Sequence, residues 1–317
     1  MQLIATPRNP VPYGARIVHV PGDGPTLRCA VWPAEGAAAG TVCVFAGRAE
    51  YIERYFETIA DLRRRRFAVV AMDWRGQGGS DRLLPDRRKG HIARFQAYEE
   101  DARRVLSSIV IGQLPEPYIG LAHSMGGHVM LRLAAKPDCP FSRLVLSAPM
   151  VAIHPDRLGM PEPAAYSFAQ TMRGMGLGGR YVPGGGPASF EIMDFENNPL
   201  TRDRMRFERS LEISEIAPDL GIGDPTIAWL GAALGSVREL ARPEHATRIR
   251  VPTLCCIAEH DKIVSSRATE RYCDNLPVGR CFTMPGAEHE ILQETDAVRA
   301  RFWSAFDAFT VQDAIAA

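Results

Sequence analysis

Seven apolar runs of five to seven residues, at 27–32, 41–46, 67–73, 118–123, 143–149, 253–258 and 280–284, punctuate the chain. Between most of them lie segments whose apolar residues recur every third or fourth position, at 51–64, 92–111, 126–135, 265–275 and 290–309. Strand followed by helix, repeated, demands a mostly parallel sheet with helices covering its faces. Residues 16–20 break the rule: with 27–32 they predict an antiparallel hairpin, because Pro21-Gly-Asp-Gly-Pro25 between them is all turn chemistry. The alternation fails between about Met150 and Thr247, where Pro161, Pro163, Pro183 and Pro187 and a glycine cluster from Gly174 to Gly186 exclude a simple crossover helix. Residues 1–150 and 248–310 are therefore expected to form an α/β core, 151–247 a cap inserted after the sixth strand, and 311–317 a C-terminal tail.

Composition narrows the partners. The chain has 317 residues, 46% of them hydrophobic, enough for a sizeable core, and its 37 basic side chains equal its 37 acidic ones. A balanced charge argues against a protein built to neutralise nucleic-acid phosphates. The longest stretch free of charged side chains, 117–131, has 15 residues including two His, a Ser and three Gly, too short and too polar for a bilayer span. The first residues lack a secretory signal's charged opening and apolar block. The reading is of a cytoplasmic protein that touches lipid peripherally. Seven Cys, at spacings that give no paired Cys-x-x-Cys ligands, fit reduced cysteines and no zinc site. Arg63-Arg-Arg-Arg66 closes a predicted helix, where cations complement the dipole.

The segment Tyr118-Ile-Gly-Leu-Ala-His-Ser124-Met-Gly126 places a serine between a strand and a helix. A nucleophile elbow requires that context, with small residues two positions either side of the serine; Ala122 and Gly126 supply them. The following helix would aim its positive end and free N–H groups at the serine oxygen, where charge develops in acyl transfer. A serine cap followed by packing glycines is the plainer alternative.

Four further segments fall in order around this one: Phe45-Ala-Gly-Arg-Ala-Glu-Tyr-Ile-Glu-Arg-Tyr55, Asp73-Trp-Arg-Gly-Gln-Gly-Gly-Ser-Asp81, Ala258-Glu-His-Asp-Lys-Ile-Val264 and Pro285-Gly-Ala-Glu-His-Glu-Ile-Leu292. Together, over roughly residues 15–310, they make the chain resemble the α/β-hydrolase fold family, in particular its monoacylglycerol lipase and lysophospholipase group. The resemblance implies an oxyanion loop at 45–55, a loop-locking turn at 73–81 with Asp73, Arg75 and Asp81, an acid loop at 258–264 and a histidine loop at 285–292. Two departures stand out: Ala122 replaces the elbow's first glycine, and Ala46-Gly47 replaces the usual His-Gly.

A serine hydroxyl needs a base, and imidazole titrates near neutrality. The order Ser…Asp…His of this fold selects His289, with Asp261 as the carboxylate that orients it. Glu259 is the rival acid, and His123 and His260 are histidines near the motifs without the right position. By resemblance the backbone N–H groups of Met125 and Arg48 form the oxyanion hole; the Arg48 guanidinium could also meet a substrate carboxylate or phosphate. The insertion carries Met150, Met160, Met172, Met175, Met193 and Met205 with Tyr166, Phe168, Phe190, Phe195 and Phe207, a soft apolar set suited to an acyl chain, and 225–237 could line the same cleft. The glycines of 170–187 suit a lid. The expectation is a serine hydrolase that cleaves a lysophospholipid or monoacylglycerol ester through an acyl-enzyme, with no metal or organic cofactor. A peptidase or amidase of the same fold and a non-catalytic ligand-binding homologue are the alternatives.

Overall fold

The computed structural model describes residues 2–188 and 194–310. Eight strands form one sheet: β1 (Arg16–Val20), β2 (Leu27–Trp32), β3 (Gly40–Phe45), β4 (Phe67–Met72), β5 (Tyr118–His123), β6 (Arg143–Ser147), β7 (Thr253–Ala258) and β8 (Gly279–Met284). Their spatial order is β1-β2-β4-β3-β5-β6-β7-β8. The pairs β1/β2 and β2/β4 are antiparallel and all others parallel, the topology expected from the alternation and hairpin. Strands β2 to β7 are buried throughout, whereas the edge strand β8 exposes most of its residues. This explains why the inner strands read as continuous apolar runs.

Helix α1 (Phe56–Arg64) packs on β4, α3 (Ser124–Ala134) on β5 and β6, α8 (Ser266–Cys273) on β7 and α9 (Asp296–Thr310) on β8, while α2 (Gln96–Val105) packs on α3. The two helix starts nearest the site differ from the sequence reading. Helix α3 begins at Ser124 itself, so the serine sits in the first turn. Helix α9 begins at Asp296, not at 290, because 285–295 is held as a loop: Glu294 Oε1 accepts the Glu288 N–H at 2.9 Å and the Arg202 N–H at 3.2 Å, and Gln293 donates to the Arg54 carbonyl at 2.6 Å. The arginine run at the end of α1 is a paired surface, with Arg65 on Asp307 at 2.7 Å and Arg63 donating to the Pro33 carbonyl at 2.8 Å. All seven cysteines are free thiols.

Between β6 and β7 lie α4 (Glu162–Gly174), α5 (Arg204–Ile216), α6 (Ile227–Leu240) and the short α7 (Pro243–Ala246). α4 and α6 pack closely; a Cβ added at Gly231 of α6 would stand 3.2 Å from the Ala169 Cβ of α4. α6 is tied to α3 through buried polar groups: His128 Nε2 meets Ser236 Oγ at 2.6 Å and Arg132 meets it at 3.0 Å. Burial pulls the His128 pKa down to about 3, so this tie is a neutral imidazole. Of the insertion's residues singled out above, Phe190 and Met193 lie outside the described residues. Among the described residues, no helix is long and apolar enough to cross a membrane.

Candidate active site

In parallel sheets the loops after the strands' carboxyl ends share one edge, and ligands bind there. The loops after β3, β4, β5, β7 and β8 are those carrying the five motifs. At the end of β5 the chain turns so sharply that Ser124 adopts φ +50°, a conformation costing a non-glycine residue roughly 1–3 kcal/mol. Crowding enforces the turn. A Cβ at Gly126 would stand 2.4 Å from the Phe45 carbonyl oxygen and 2.6 Å from that of Ala46, and one at Gly127 would stand 2.8 Å from Pro149 Cβ. Ala122 is buried in β5, opposite Phe45, so its methyl is accommodated and the missing glycine does not disturb the elbow.

The structure brings Ser124, His289 and Asp261 together. His289 Nε2 lies 3.0 Å from Ser124 Oγ, and Nδ1 lies 2.7 Å from Asp261 Oδ2. Because a carboxylate only accepts, Nδ1 carries the proton and Nε2 is free to take one from the hydroxyl. Asp261 is itself fixed, its Oδ1 accepting the N–H groups of Ile263 at 2.8 Å and Val264 at 2.9 Å. Burial works against the His289 imidazolium, but the charge and hydrogen bond of Asp261, with Glu290 and Glu50 behind them, outweigh it and raise the pKa above the ordinary value. Burial would likewise raise the Asp261 carboxyl; His289 and the two backbone donors lower it instead. The rival Glu259 points elsewhere, accepting the Gly286 N–H at 2.7 Å, with the half-exposed His260 beside it at 3.6 Å.

Arg48 and Met125 flank Ser124 in the same cleft. Met125 stands in the first turn of α3, where N–H groups have no intrahelical partner. The 46–51 loop has Ala46 where the resemblance led to the expectation of a histidine, and other side chains brace it. Trp74 Nε1 donates to the Ala46 carbonyl at 2.7 Å, and Gln77 Nε2 to the carbonyls of Gly47 and Glu50, both at 2.8 Å. Glu50 Oε2 accepts the Gly47 N–H and, at 2.6 Å, the Tyr55 hydroxyl. The 73–81 turn locks as expected: Asp73 accepts from Arg28 at 2.6 Å, from Ile52 N–H at 2.9 Å and from Gly79 N–H at 2.7 Å, Arg75 pairs with Asp101 at 2.6 Å, and Asp81 accepts the Thr26 N–H at 2.8 Å.

Sequence reasoning missed Glu50, Gln77 and Trp74 as loop braces, and the signal each carried was its place in a motif, Glu50 in the 45–55 segment and Trp74 and Gln77 in the 73–81 turn. It also set His123 aside as a histidine near the motifs without the right position. The structure puts that ring in the cleft wall, 4.7 Å from the His289 ring, with Nδ1 donating to the Ser147 carbonyl at 3.0 Å. Burial pulls it down to about 4, against the pull of Glu50, so it stays neutral beside the His289 imidazole.

The cleft has a volume of about 340 Å³, and its apolar wall includes Met150, Val182, Leu200, Trp229, Leu230 and Ile263. The 225–237 segment thus reaches it, through Pro225, Trp229 and Leu230, and so do Val182, Pro183, Gly184 and Gly185 of the glycine-rich stretch. The methionine expectation needs correction. Among the described methionines of the insertion only Met150 lines the cleft, whereas Met175 and Met205 are 66% and 75% exposed. Trp229 and short aliphatic side chains build the apolar wall instead.

The family described as serine aminopeptidase S33 (Hydrolase_4) matches residues 36–296. A probable lysophospholipase L2 of Haemophilus influenzae is 30% identical over 268 residues, covering 84% of this chain and 82% of its own. Lysophospholipase L2 of Escherichia coli K12 is 32% identical over 271 residues, covering 82% and 76%. Among solved structures, a soluble variant of the Saccharomyces cerevisiae monoglyceride lipase, in complex with a substrate analog, superposes with a TM-score of 0.72 at 18% identity, covering 94% of this chain and 96% of that one. The chain belongs to the serine aminopeptidase S33 family and has the α/β-hydrolase fold.

Proposed function

We propose that the protein is a carboxylic-ester hydrolase acting on lipids with a single acyl chain, a lysophospholipid or a monoacylglycerol. The observation that carries this reading is the hydrogen-bonded chain Asp261–His289–Ser124, at 2.7 and 3.0 Å, opening onto a largely apolar cleft. The names of the relatives support the lipid, and the cleft's Trp229, Leu230 and Val182 would receive the acyl chain.

Ser124 Oγ attacks the ester carbonyl while His289 Nε2 takes its proton, and Asp261 holds the ring and offsets the charge it gains. The oxyanion is met by the N–H groups of Met125 and Arg48. His289 returns the proton to the leaving alcohol, and an acyl-Ser124 ester forms. Water, activated by the same imidazole, then releases the fatty acid. Residues 151–247 act as a cap over residues 1–150 and 248–310. A cytoplasmic enzyme meeting lipid at a membrane surface fits the unpaired thiols, which persist in a reducing compartment.

Amide cleavage is the second reading, because the same three side chains serve peptidases and the matched family bears an aminopeptidase's name. Monoacylglycerols, short p-nitrophenyl esters and aminoacyl amides assayed side by side decide between them; turnover is expected on the esters, and turnover confined to the amides would overturn the lipid reading. Ser124→Ala should lower ester turnover by about 10⁴-fold or more and abolish fluorophosphonate labelling, whereas wild-type turnover in that variant rules out Ser124 as nucleophile.

A further inference from the structure

Ester hydrolysis leaves unused the cation in the wall of the cleft. The Arg48 guanidinium lines it beside Ser124 and His289. Its Nη2 donates to the Gly223 carbonyl at 2.6 Å, its Cζ lies 5.3 Å from the centre of the Trp229 ring, and its Nε is buried with no hydrogen-bond partner. Among the described residues no carboxylate stands at ion-pair distance from it. The other charged groups around the cleft are engaged: Glu50 by Gly47 and Tyr55, Glu290 by Arg54, Asp224 by the Gly186 N–H at 3.0 Å, and Arg157 by the Lys262 carbonyl at 3.1 Å. Its hydrogen-bond partner is neutral, and the Asp224 carboxylate attracts it only from beyond ion-pair distance, so the buried charge is costly to maintain. Burial draws this guanidinium down to about 10, which leaves it cationic at neutral pH. Gly90 makes the room for it, since a Cβ there would stand 2.4 Å from Nη2.

We propose that the Arg48 side chain is the anion site of this cleft and selects single-chain esters that carry a phosphate, lysophospholipids, over neutral monoacylglycerols. The proposal rests on the ester-hydrolase reading and deepens it. A guanidinium presents a planar fork of donors that matches phosphate oxygens, and such charge-assisted bonds exceed neutral ones. The connectivity is also right: glycerol joins the ester to the phosphate, and one residue would serve both, its N–H at the carbonyl and its side chain at the headgroup.

The test measures kcat/KM on a short-chain lysophosphatidylcholine and on the monoacylglycerol of the same acyl chain, both below their micellar concentrations. Arg48→Gln is expected to lower the lysophospholipid value about 10- to 100-fold more than the monoacylglycerol value, chiefly through KM. Gly90→Ala, which crowds the guanidinium and leaves the backbone at 48 unaltered, should move the same ratio in the same direction, and Arg48→Lys should retain part of it. Equal losses on both substrates in both variants would overturn the anion site, as would a wild-type enzyme that cleaves the monoacylglycerol and spares the lysophospholipid; either result leaves the hydrolase reading standing. If neither ester is cleaved, that reading fails, and binding decides the site by itself. An ether-linked lysophosphatidylcholine titrated calorimetrically into Ser124→Ala should then bind about tenfold or more weakly once Gly90→Ala is added, and unchanged affinity overturns the proposal.

Discussion

Two loops border the cleft at Ser124, and each is held in place by different means. The elbow at Ser124 is set by exclusion: Gly126 and Gly127 lie so near the chain at 45–46 and at Pro149 that no side chain fits, and the φ of +50° at the serine follows. The loop at Arg48 is set by attachment, its carbonyls and N–H groups held by Trp74, Gln77 and Glu50. Exclusion is written in residues adjacent to the one that matters. Attachment depends on side chains about thirty positions away as well as on Glu50, so the loop is held with an alanine at position 46.

A change outside both loops sets the scale. Asp261→Asn should lower kcat by about 10³- to 10⁴-fold, read in steady-state ester assays, because the imidazole loses its fixed tautomer. The pH profile should move with it: Asp261 raises His289, so the acid limb of kcat/KM, which lies above about 6.5 in the wild type, should shift to lower pH in the variant. Stability carries the same signature. The raised His289 contributes below its unfolded value of about 6.5 and loses that contribution as pH rises through its folded value; the lowered Asp261 contributes above about 3.9 and loses it as pH falls. The melting-temperature penalty of Asp261→Asn is therefore expected to be larger near pH 5.5 than near pH 9.

The elbow's dependence on exclusion is broken most directly by Gly126→Ala. Its Cβ cannot occupy the 2.4 Å gap to the Phe45 oxygen, so α3 and the 45–46 backbone must separate; a loss of about 2–4 kcal/mol in denaturant unfolding and of about 10²- to 10³-fold in kcat is expected. Glu50→Leu attacks the other mode by leaving the Gly47 N–H and the Tyr55 hydroxyl unpaired, and should cost about 10- to 100-fold in kcat/KM with a lower melting temperature. If Gly126→Ala were mild and Glu50→Leu abolished activity, the assignment of the two modes would be reversed. The smallest effect belongs to Ala122→Gly. The alanine already fits, so restoring the glycine should change kcat less than about twofold and cost about 0.5–1 kcal/mol of stability.

Turn chemistry and periodicity reached far in this molecule. The runs at 27–32, 118–123 and 253–258 became β2, β5 and β7 with those limits, and the small residues around Ser124 announced a turn that the backbone then made. Helix starts were less legible, because α9 begins late for a reason that periodicity does not register: Glu294 and Gln293 bind residues 288, 202 and 54 instead of continuing the helix. The insertion was legible only as an interruption. Its methionines suggested the lining of an acyl cleft, yet Met175 and Met205 face solvent and Trp229 forms the wall, since composition does not say which face of a helix meets which neighbour.

What the chain's order of residues determined unaided was the strand-and-helix rhythm and the elbow, because both depend on sterics among neighbours a few positions apart. Tertiary structure alone decided that Gln77 and Trp74 hold the Arg48 loop and that the Arg48 guanidinium has no carboxylate at ion-pair distance among the described residues, and it set Asp261, the acid the sequence favoured over Glu259, 2.7 Å from His289. These facts turn on distances between segments far apart in the chain, and such distances exist only once the sheet has closed its strand ends around one cleft.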